Sequence, residues 1–501
     1  MAQATTKDLT TLPVGRLGLI PLISCKDLGE KVNEWLIQWR KERSHEELDS
    51  FAFEGYQRES YLIPVQTARF GSGEAKCTIM ESVRGDDIYL MVDVCNYSLT
   101  YSLCGHENHM SPDDHYQDLK RVIAAAGGKA RRINVIMPFL YESRQHKRSG
   151  RESLDCALAL EELVDMGVEN IITFDAHDPR VQNAIPLNGF DSFNPLYQFI
   201  KALFKAEPDL KADKDHLMII SPDEGAMQRA VYFSNVLGVD MGMFYKRRDY
   251  STIVNGKNPI VAHEFLGDDV HGKTVIIIDD MISSGESMLD VTRQLKDRGA
   301  ERVFVCTTFG LFTEGLDKFD EYYEKGYLDR LITTNLTYLP PQLHDKPYFI
   351  EADMSKFLAL IIDSMNHSTS ISAVMNPTDK IHDLLAKRIF RYHCLLPDNH
   401  GVFGRIILIK SVIRMLFLII MDNAQGSVML EEQTSRCLQS VNNPSGRRTV
   451  GIGSYTPESP GKFSVHNEIR RFCYNLIEFG SPFVHVGIPS IRSYDDKIIV
   501  E

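Results

Sequence analysis

Two adjacent carboxylates, Asp279 and Asp280, follow a run of isoleucines at 276–278 and precede a turn of small hydroxyl residues. The apolar run predicts a strand buried on both faces that ends near the acids. The turn contains Gly285, and the amphipathic stretch 286–298 after it predicts a helix. Backbone N–H groups at such a helix start can bind a phosphate, while carboxylates beside it can bind sugar hydroxyls or a magnesium ion. These residue types therefore fit a sugar phosphate.

Charged residues also follow two neighbouring predicted strands earlier in the chain. A basic loop, 144–148, follows the strand predicted at 133–138, and Asp175 and His177 follow the strand predicted at 170–174. A right-handed crossover would bring the carboxyl ends of both strands to one edge of a parallel sheet. A charge cluster is most often a solvated surface, but at such an edge it favours polyphosphate binding.

The alternation of strands and helices recurs in the second half of the chain. The strand predicted at 217–223 ends at Asp223, and the strand predicted at 239–245 leads into the basic segment 246–249. Two successive units of this kind indicate an α/β fold with two domains. We predict that the boundary between these two domains lies near residues 188–195.

The composition is that of a globular protein, with 43% hydrophobic and 25% charged residues in a chain of 501. The formal net charge of -13 argues against a nucleic-acid or anionic membrane surface. The nine cysteines form no Cys-x-x-Cys pair and are odd in number, which favours free thiols in a reducing compartment. The first residues lack the pattern of a signal peptide. We therefore expect a cytoplasmic protein that binds neither nucleic acid nor membranes.

Two other stretches contain residues that could suggest a functional site, but their patterns indicate a structural role. Cys104, His106 and His109 are residue types that bind zinc, but their spacing matches no compact zinc motif and fits a polar loop before a helix at 116–126. The apolar run 406–421 is interrupted by charges and falls short of the ~20 residues of a membrane span, so it predicts a buried or interface helix. No function is assigned to the tail.

Several motifs together resemble those of a known family, the ribose-phosphate diphosphokinases, which make phosphoribosyl pyrophosphate. Segment 275–282 resembles the phosphoribosyl-binding signature that this family shares with type I phosphoribosyltransferases. Further motifs resemble those of the diphosphokinases in order and spacing, namely 81–88, 144–145, 174–177, 221–225 with Arg229, and 246–248. The resemblance covers residues about 12–388 and leaves the tail unmatched, which implies three segments: residues 1–190, residues 191–388 and a tail of residues 389–501. It implies two type I phosphoribosyltransferase-like domains, each with a mainly parallel sheet flanked by helices.

The resemblance also implies an activity and a set of site residues. The enzyme would be a ribose-phosphate diphosphokinase, a transferase of nucleotide biosynthesis that uses ATP, ribose 5-phosphate and Mg²⁺. The catalytic pair on a mobile loop would be Lys246 and Arg248. The ATP-binding residues would be Phe70, Glu74, Arg144, Gln145 and His177. The magnesium ligands would be His177 and Asp223. The ribose 5-phosphate-binding residues would be Asp279, Asp280, Ser283, Ser284, Gly285, Glu286 and Ser287.

In the family, residues that match Phe70 and Glu74 complete the adenine pocket of a neighbouring subunit, which implies a homo-oligomer. The N-terminal domain would form the ATP side of the site and the second domain the ribose 5-phosphate side.

Some positions depart from the family pattern. Ser283 replaces an acid and Glu286 a glycine in the phosphate turn, and Ser72 and His146 stand where Asp is usual. A carboxylate such as Glu286 would repel a bound phosphate unless its side chain points into solvent. The altered turn leads to one alternative, a non-catalytic homologue that regulates an active synthase. The signature shared with type I phosphoribosyltransferases leads to another, a nucleobase phosphoribosyltransferase.

Overall fold

The computed structural model describes residues 12–44, 55–248, 260–394, 491–494 and 497–500. The chain divides into two compact units, residues 1–396 and residues 397–501. The first unit contains two mainly parallel sheets with helices packed on them. This architecture confirms the predicted α/β fold.

A parallel sheet of five strands forms the centre of the first half of that unit, in the order β1-β4-β7-β8-β9. The strands of this half are β1 (Arg16–Pro21), β2 (Val65–Arg69), β3 (Ala75–Ile79), β4 (Asp86–Met91), β5 (Thr100–Leu103), β6 (His106–His109), β7 (Arg132–Ile136), β8 (Asn170–Phe174) and β9 (Gly189–Phe193). The helices are α1 (Lys26–Ser44), α2 (Pro112–Ala126) and α3 (Asp155–Asp165). β4 is buried along its whole length, as expected for a central strand covered on both faces.

Local sequence explains where α2 begins. Ser111 and Asp114 form a capping box, and Pro112 occupies the first helical position, where its missing N–H needs no partner. The predicted polar loop before this helix was wrong in part, because residues 100–109 form the β5–β6 hairpin around Cys104 and Gly105. Short antiparallel pairing of polar residues leaves no hydrophobic alternation by which it could be recognised.

The second sheet has seven strands in the order β12-β11-β10-β13-β14-β15-β16, and only the β11–β12 pair is antiparallel. Its strands are β10 (Leu217–Ser221), β11 (Asp240–Arg248), β12 (Ile260–Leu266), β13 (Thr274–Ile282), β14 (Arg302–Gly310), β15 (Arg330–Thr334) and β16 (Phe349–Ala352). The helices of this half are α4 (Leu196–Ala206), α5 (Met227–Leu237), α6 (Glu286–Asp297), α7 (Asp317–Glu324), α8 (Ser355–Asn366), α9 (Ser372–Met375) and α10 (Thr378–Cys394).

Helix α8 follows the second sheet in the chain but packs against the first. Leu358 and Ile361 are fully buried in the same hydrophobic core as β1 and β4, and α8 lies against α1. The guanidinium of Arg40, 1% exposed, donates to Asn366 Oδ1 at 2.6 Å and lies 3.5 Å from Asp363 Oδ1. The returning helix therefore ties the two sheets into one unit.

Beyond α10, the described residues form an antiparallel pair of strands, β17 (Ile491–Tyr494) and β18 (Lys497–Val500). The apolar run predicted as a helix at 406–421 lies outside the described residues. Among the helices that the structure does describe, none has the length and apolar character needed to cross a bilayer. The cysteines whose side chains the structure describes are free thiols, namely Cys25, Cys77, Cys95, Cys104, Cys156 and Cys306.

Candidate active site

Asp279 and Asp280 lie inside strand β13 and not beyond its end, which corrects the sequence prediction. β14 continues beside β13 as far as Gly310, whose backbone is in register with Ile282. The neighbouring strand thus supplies hydrogen-bonding partners past the acids, a contribution that local sequence does not reveal. The turn therefore begins only at Ser283.

The turn between β13 and α6 has a fixed shape. Gly285 has φ +85°, a conformation that other L-residues rarely adopt, and a Cβ at this position would overlap the ring of Phe319. The backbone oxygen of Ser283 accepts a hydrogen bond from the N–H of Thr313 at 3.0 Å. Helix α6 begins at Glu286, so the N–H groups at its start, which have no acceptor within the helix, lie next to this loop.

The side chain of Glu286 is directed to a lysine on α7. Its Oε1 lies 2.7 Å from Lys318 Nζ, and the same ammonium lies 2.9 Å from Glu314 Oε2. The hydrogen bond and the charge of Lys318 lower the pKa of Glu286. Glu286 is exposed and paired with a cation. A carboxylate beside a phosphate loop was expected to be tolerated only if it pointed into solvent, and Glu286 meets this condition. Ser287 is exposed and Ser284 half-buried.

The strand ends of the two sheets meet where His177 contacts Asp280. His177, which follows β8 of the first sheet, places Nδ1 2.6 Å from Oδ2 of Asp280 on β13 of the second. The side chain of His177 is 36% exposed and that of Asp280 is 5% exposed. Because Nδ1–H donates to the carboxylate, Nε2 is the nitrogen left for a ligand. The predicted convergence of both halves on one site is therefore observed for this pair.

A second set of contacts lies behind this pair. Asp175 accepts a hydrogen bond from Arg229 Nε at 2.6 Å and another from Thr308 Oγ1 at 2.7 Å. Arg229 Nη2 lies 3.6 Å from Oδ2 of Asp280. The sequence motifs included Asp175 and Arg229 without a role, and they missed Thr308. The only sequence feature that could have indicated Thr308 is weak: it is a polar residue near the end of the apolar run that forms β14.

Burial and neighbouring charges separate the two acids of β13. Burial raises the pKa of Asp279 well above its usual value, and the charge of Asp280 adds to this effect. Burial acts on Asp280 in the same sense, but the hydrogen bond from His177 and the charge of Arg229 outweigh it and lower the pKa of Asp280. Asp280 is therefore the carboxylate that stays ionised.

The basic loop lies beside His177, as predicted. Arg144 is exposed, and the amide of Gln145 donates to a backbone oxygen later in the same loop at 2.8 Å. The ring of His146 lies 5.3 Å from that of His177, centroid to centroid, and its Nε2 lies 3.4 Å from Asp178 Oδ2. This loop can therefore supply positive charge at the edge of the first sheet.

Asp223 follows β10, the strand next to β13. Its Oδ1 accepts hydrogen bonds from the backbone N–H groups of Gly225 and Ala226 at 2.9 and 3.3 Å. Among the described residues, no three His, Cys, Asp or Glu side chains are grouped to hold a metal ion. Mg²⁺ is commonly bound by one or two carboxylates together with phosphate oxygens and water, and a ligating His is usually oriented by a carboxylate on its other nitrogen. Asp223 carries a carboxylate of this kind, and Asp280 orients the ring of His177.

The predicted catalytic pair lies in β11, which continues to Arg248 and not to Tyr245 as predicted. The antiparallel neighbour β12 pairs with it, with Lys246 opposite His263 and Arg248 opposite Ile260. The sequence did not indicate this pairing because the segment is basic. The side chains of Lys246 and Arg248, and residues 249–259 between β11 and β12, lie outside the described part of the structure, so the predicted mobile loop is not tested.

The remaining predicted residues lie on the β2–β3 hairpin. The backbone N–H of Phe70 donates to the oxygen of Glu74 at 2.7 Å, and the side chain of Phe70 is 50% exposed. The carboxylate of Glu74 accepts a hydrogen bond from Ser72 Oγ at 2.9 Å. The structure therefore presents Phe70 at the tip of an exposed hairpin.

Comparison with known proteins gives consistent matches. Residues 17–167 match the family described as the N-terminal domain of ribose phosphate pyrophosphokinase, and residues 195–335 match the phosphoribosyl transferase domain. The chain is 27% identical over 315 residues to a ribose-phosphate pyrophosphokinase of Vibrio cholerae, a match that covers 62% of this chain and 90% of that protein. It is 28% identical over 277 residues to one of Corynebacterium efficiens, covering 54% and 76% of the two chains.

Among solved structures, the crystal structure of phosphoribosylpyrophosphate synthetase from Mycobacterium smegmatis superposes with a TM-score of 0.54 at 22% identity. The superposition covers 70% of this chain and 99% of that one. At this level of identity the likeness supports the fold, with two domains of phosphoribosyltransferase type.

Proposed function

Because the chain belongs to the ribose-phosphate pyrophosphokinase family, with the N-terminal domain of that family at residues 17–167 and a phosphoribosyl transferase domain at residues 195–335, we propose that it transfers the pyrophosphoryl group of ATP to the anomeric hydroxyl of ribose 5-phosphate. Membership makes it an enzyme of phosphoribosyl pyrophosphate synthesis, a transferase of nucleotide biosynthesis. What we propose beyond family membership is that ATP is the donor and that individual residues have the roles given below. The observation that carries the proposal is the contact between His177 and Asp280, which lies near the carboxyl ends of β8 in the first sheet and β13 in the second.

The acceptor half of the site is the end of β13 with the turn after it. Asp279 and Asp280 would bind the ribose hydroxyls, and the 5-phosphate would lie against backbone N–H groups at the start of α6. The turn residues in this role are Ser283, Ser284, Gly285, Glu286 and Ser287. The left-handed conformation of Gly285 and the pairing of Glu286 with Lys318 support this assignment.

The donor half is formed by the strand ends of the first sheet and by Asp223. Arg144 and Gln145 would bind ATP, and His177 and Asp223 would hold Mg²⁺ that arrives with the polyphosphate. When bound, the ion neutralises charge on the phosphate oxygens. The position of the basic loop beside His177 supports this arrangement.

In the reaction, the anomeric oxygen of ribose 5-phosphate forms a bond to the β-phosphorus of ATP. The bond from that phosphorus to the oxygen shared with the α-phosphorus breaks, AMP leaves with that oxygen, and the hydroxyl proton passes to solvent. Charge develops on the transferring group, so fixed cations aimed at it lower the barrier. We assign this role to Lys246 and Arg248 on the basis of the family motif.

We also propose the division into domains of residues 1–190 and 191–388, with a tail from 389. Phe70 and Glu74 would complete the adenine pocket of a neighbouring subunit in a homo-oligomer. The exposure of Phe70 at a hairpin tip supports this assignment.

The test is an assay of the purified full chain with ribose 5-phosphate, ATP labelled in the γ-phosphate, and Mg²⁺. We expect equal amounts of AMP and labelled phosphoribosyl pyrophosphate. Absence of both products at high enzyme concentration would overturn the proposal and favour the regulatory homologue. Consumption of phosphoribosyl pyrophosphate that depends on an added nucleobase would instead indicate a phosphoribosyltransferase.

A further inference from the structure

The side chain of Asp175 connects the first sheet to the second. Asp175 follows β8, whereas its two partners come from α5 and β14 of the other half. Arg229 Nε donates to its Oδ1 at 2.6 Å, and the hydroxyl of Thr308 donates to its Oδ2 at 2.7 Å. The side chains of Arg229 and Asp175 are 12% and 8% exposed, and Thr308 is fully buried. A buried carboxylate with both oxygens engaged in this way has one preferred orientation.

The backbone at Asp175 has an unusual conformation. Its φ is +41°, in a region that residues other than glycine rarely adopt, and such conformations persist only where surrounding contacts hold them. The N–H of Asp175 donates to the oxygen of Phe193 at 2.8 Å, and Arg229 Nη2 donates to the oxygen of Ala176 at 3.3 Å. These contacts fix the chain immediately before His177.

The same arginine approaches the acid that binds the histidine. Arg229 Nη2 lies 3.6 Å from Asp280 Oδ2, the oxygen that accepts the hydrogen bond from His177 at 2.6 Å. The planar guanidinium thus contacts Asp175, the backbone of Ala176 and Asp280 together. A lysine ammonium presents a point charge and cannot reproduce this arrangement.

We propose that Arg229, Asp175 and Thr308 are positioning residues that hold His177 against Asp280 and so set the spacing between the donor and acceptor halves. The inference deepens the proposed function and rests on it. None of the three needs to touch a substrate. They act through the backbone before His177 and through the carboxylate of Asp280.

The first experiment removes one buried hydroxyl to which the proposed function assigns no substrate contact. Thr308→Val deletes the donor to Asp175 and keeps the side-chain shape. Thr333→Val is the matched control, because Thr333 is equally buried in the neighbouring strand β15 and its hydroxyl has no hydrogen-bond partner among the described residues. We expect Thr308→Val to lower kcat/KM for ATP about 10- to 100-fold, the usual effect of removing an outer-shell contact. Thr333→Val should remain near wild type.

The second experiment tests the guanidinium itself. Arg229→Met should lose more activity than Thr308→Val, and Arg229→Lys should recover part of the loss, because charge is restored without the planar contacts. Thermal unfolding of each variant shows whether the effect is only structural. Equal kcat/KM in wild type, Thr308→Val and Arg229→Met would overturn the inference.

A readout independent of activity separates this inference from the proposed function. In the full chain, the Nδ1–H proton of His177 should give a downfield, slowly exchanging NMR signal that disappears in His177→Gln. We expect Thr308→Val to broaden this signal by faster exchange and Thr333→Val to leave it unchanged. If the wild type forms no AMP, the proposed function fails, whereas an unchanged signal in Thr308→Val would overturn the positioning role.

Discussion

At the scale of single residues, the phosphate turn contains a charge that its proposed ligand would repel. Lys318 lies between Glu286 and Glu314 and offsets part of that negative charge. Both partners are exposed, so the balance depends on ionic strength. A residue that touches no substrate can therefore change affinity for the sugar phosphate.

We predict that Lys318→Met raises the KM for ribose 5-phosphate severalfold at low salt, because Glu286 then faces the phosphate without its cation. Adding Glu286→Gln should reverse the increase. Lys325→Met is the control, since Lys325 pairs with Glu321 at the far end of the same helix. Steady-state kinetics at low and high salt provide the measurement, and a KM unaffected by Lys318→Met would contradict the prediction.

Gly285 provides a second residue-scale prediction. Gly285→Ala would place a methyl group against Phe319 in a backbone conformation that alanine disfavours. Gly326 has a similar positive φ with open space around it, so Gly326→Ala measures the backbone cost alone. We expect Gly326→Ala to cost ~1 kcal/mol of unfolding free energy, and Gly285→Ala to cost about 1–3 kcal/mol more. Denaturant unfolding of both variants tests the difference.

At the scale of elements, the connection after β15 is attached to the end of β4 by one buried carboxylate. Oδ2 of Asp93 accepts a hydrogen bond from the N–H of Tyr338 at 2.6 Å, and Oδ1 accepts one from Cys95 at 2.9 Å. Burial raises the pKa of Asp93 to about 7, although these two hydrogen bonds act to lower the pKa. This contact between the halves therefore responds to pH.

Proton linkage determines whether stability rises or falls with pH. The folded pKa of Asp93 lies above the unfolded value, so the native state holds a proton that the unfolded chain releases. This stabilisation is complete below pH ~4 and is lost as the pH rises through about 7. The free energy of unfolding should fall over this range by up to a few kcal/mol.

We predict that Asp93→Asn reduces this pH dependence. The variant loses one acceptor and should be less stable than wild type at pH ~5, but the difference should narrow by pH ~8, where the wild-type carboxylate is ionised without a cation. Thermal unfolding at several pH values is the measurement, with the exposed Asp268→Asn as control. A constant difference across the range would show that Asp93 does not titrate there.

Sequence patterns located most elements but not their ends. The strand at Asn170–Phe174 has the predicted bounds, because its apolar residues are flanked by polar ones. β13 and β11 run further than predicted because β14 and β12 supply backbone partners there. The role of Thr308 escaped detection for a similar reason, since it depends on a carboxylate 133 residues away. Local periodicity describes one strand, whereas pairing and buried networks involve distant ones.

At the scale of the whole molecule, both sheets share one unit because α8 returns to the first. Neither this helix nor the surface that it covers was predicted from the sequence. Arg40 of α1 is buried between Asp363 and Asn366 of α8. A buried ion pair broken on one side leaves an uncompensated charge, which costs far more than loss of an exposed pair.

We therefore predict that Arg40→Leu destabilises the protein by about 3–5 kcal/mol, because Asp363 would remain buried without this cation. Arg293→Leu removes a comparable side chain from exposed pairs with Asp290 and Asp297 and should cost less than ~1 kcal/mol. Denaturant unfolding compares the two. Equal effects would mean that α8 contributes little to holding the sheets together.

The return of α8 also has a consequence for the order in which the protein is made. The first sheet is translated early, but the helix that covers it ends at Asn366. While the intervening residues are being synthesised, Arg40 and the apolar surface around it have no partner from α8. The first half of the chain therefore completes its core only after that helix has left the ribosome, and until then its exposed apolar surface favours aggregation.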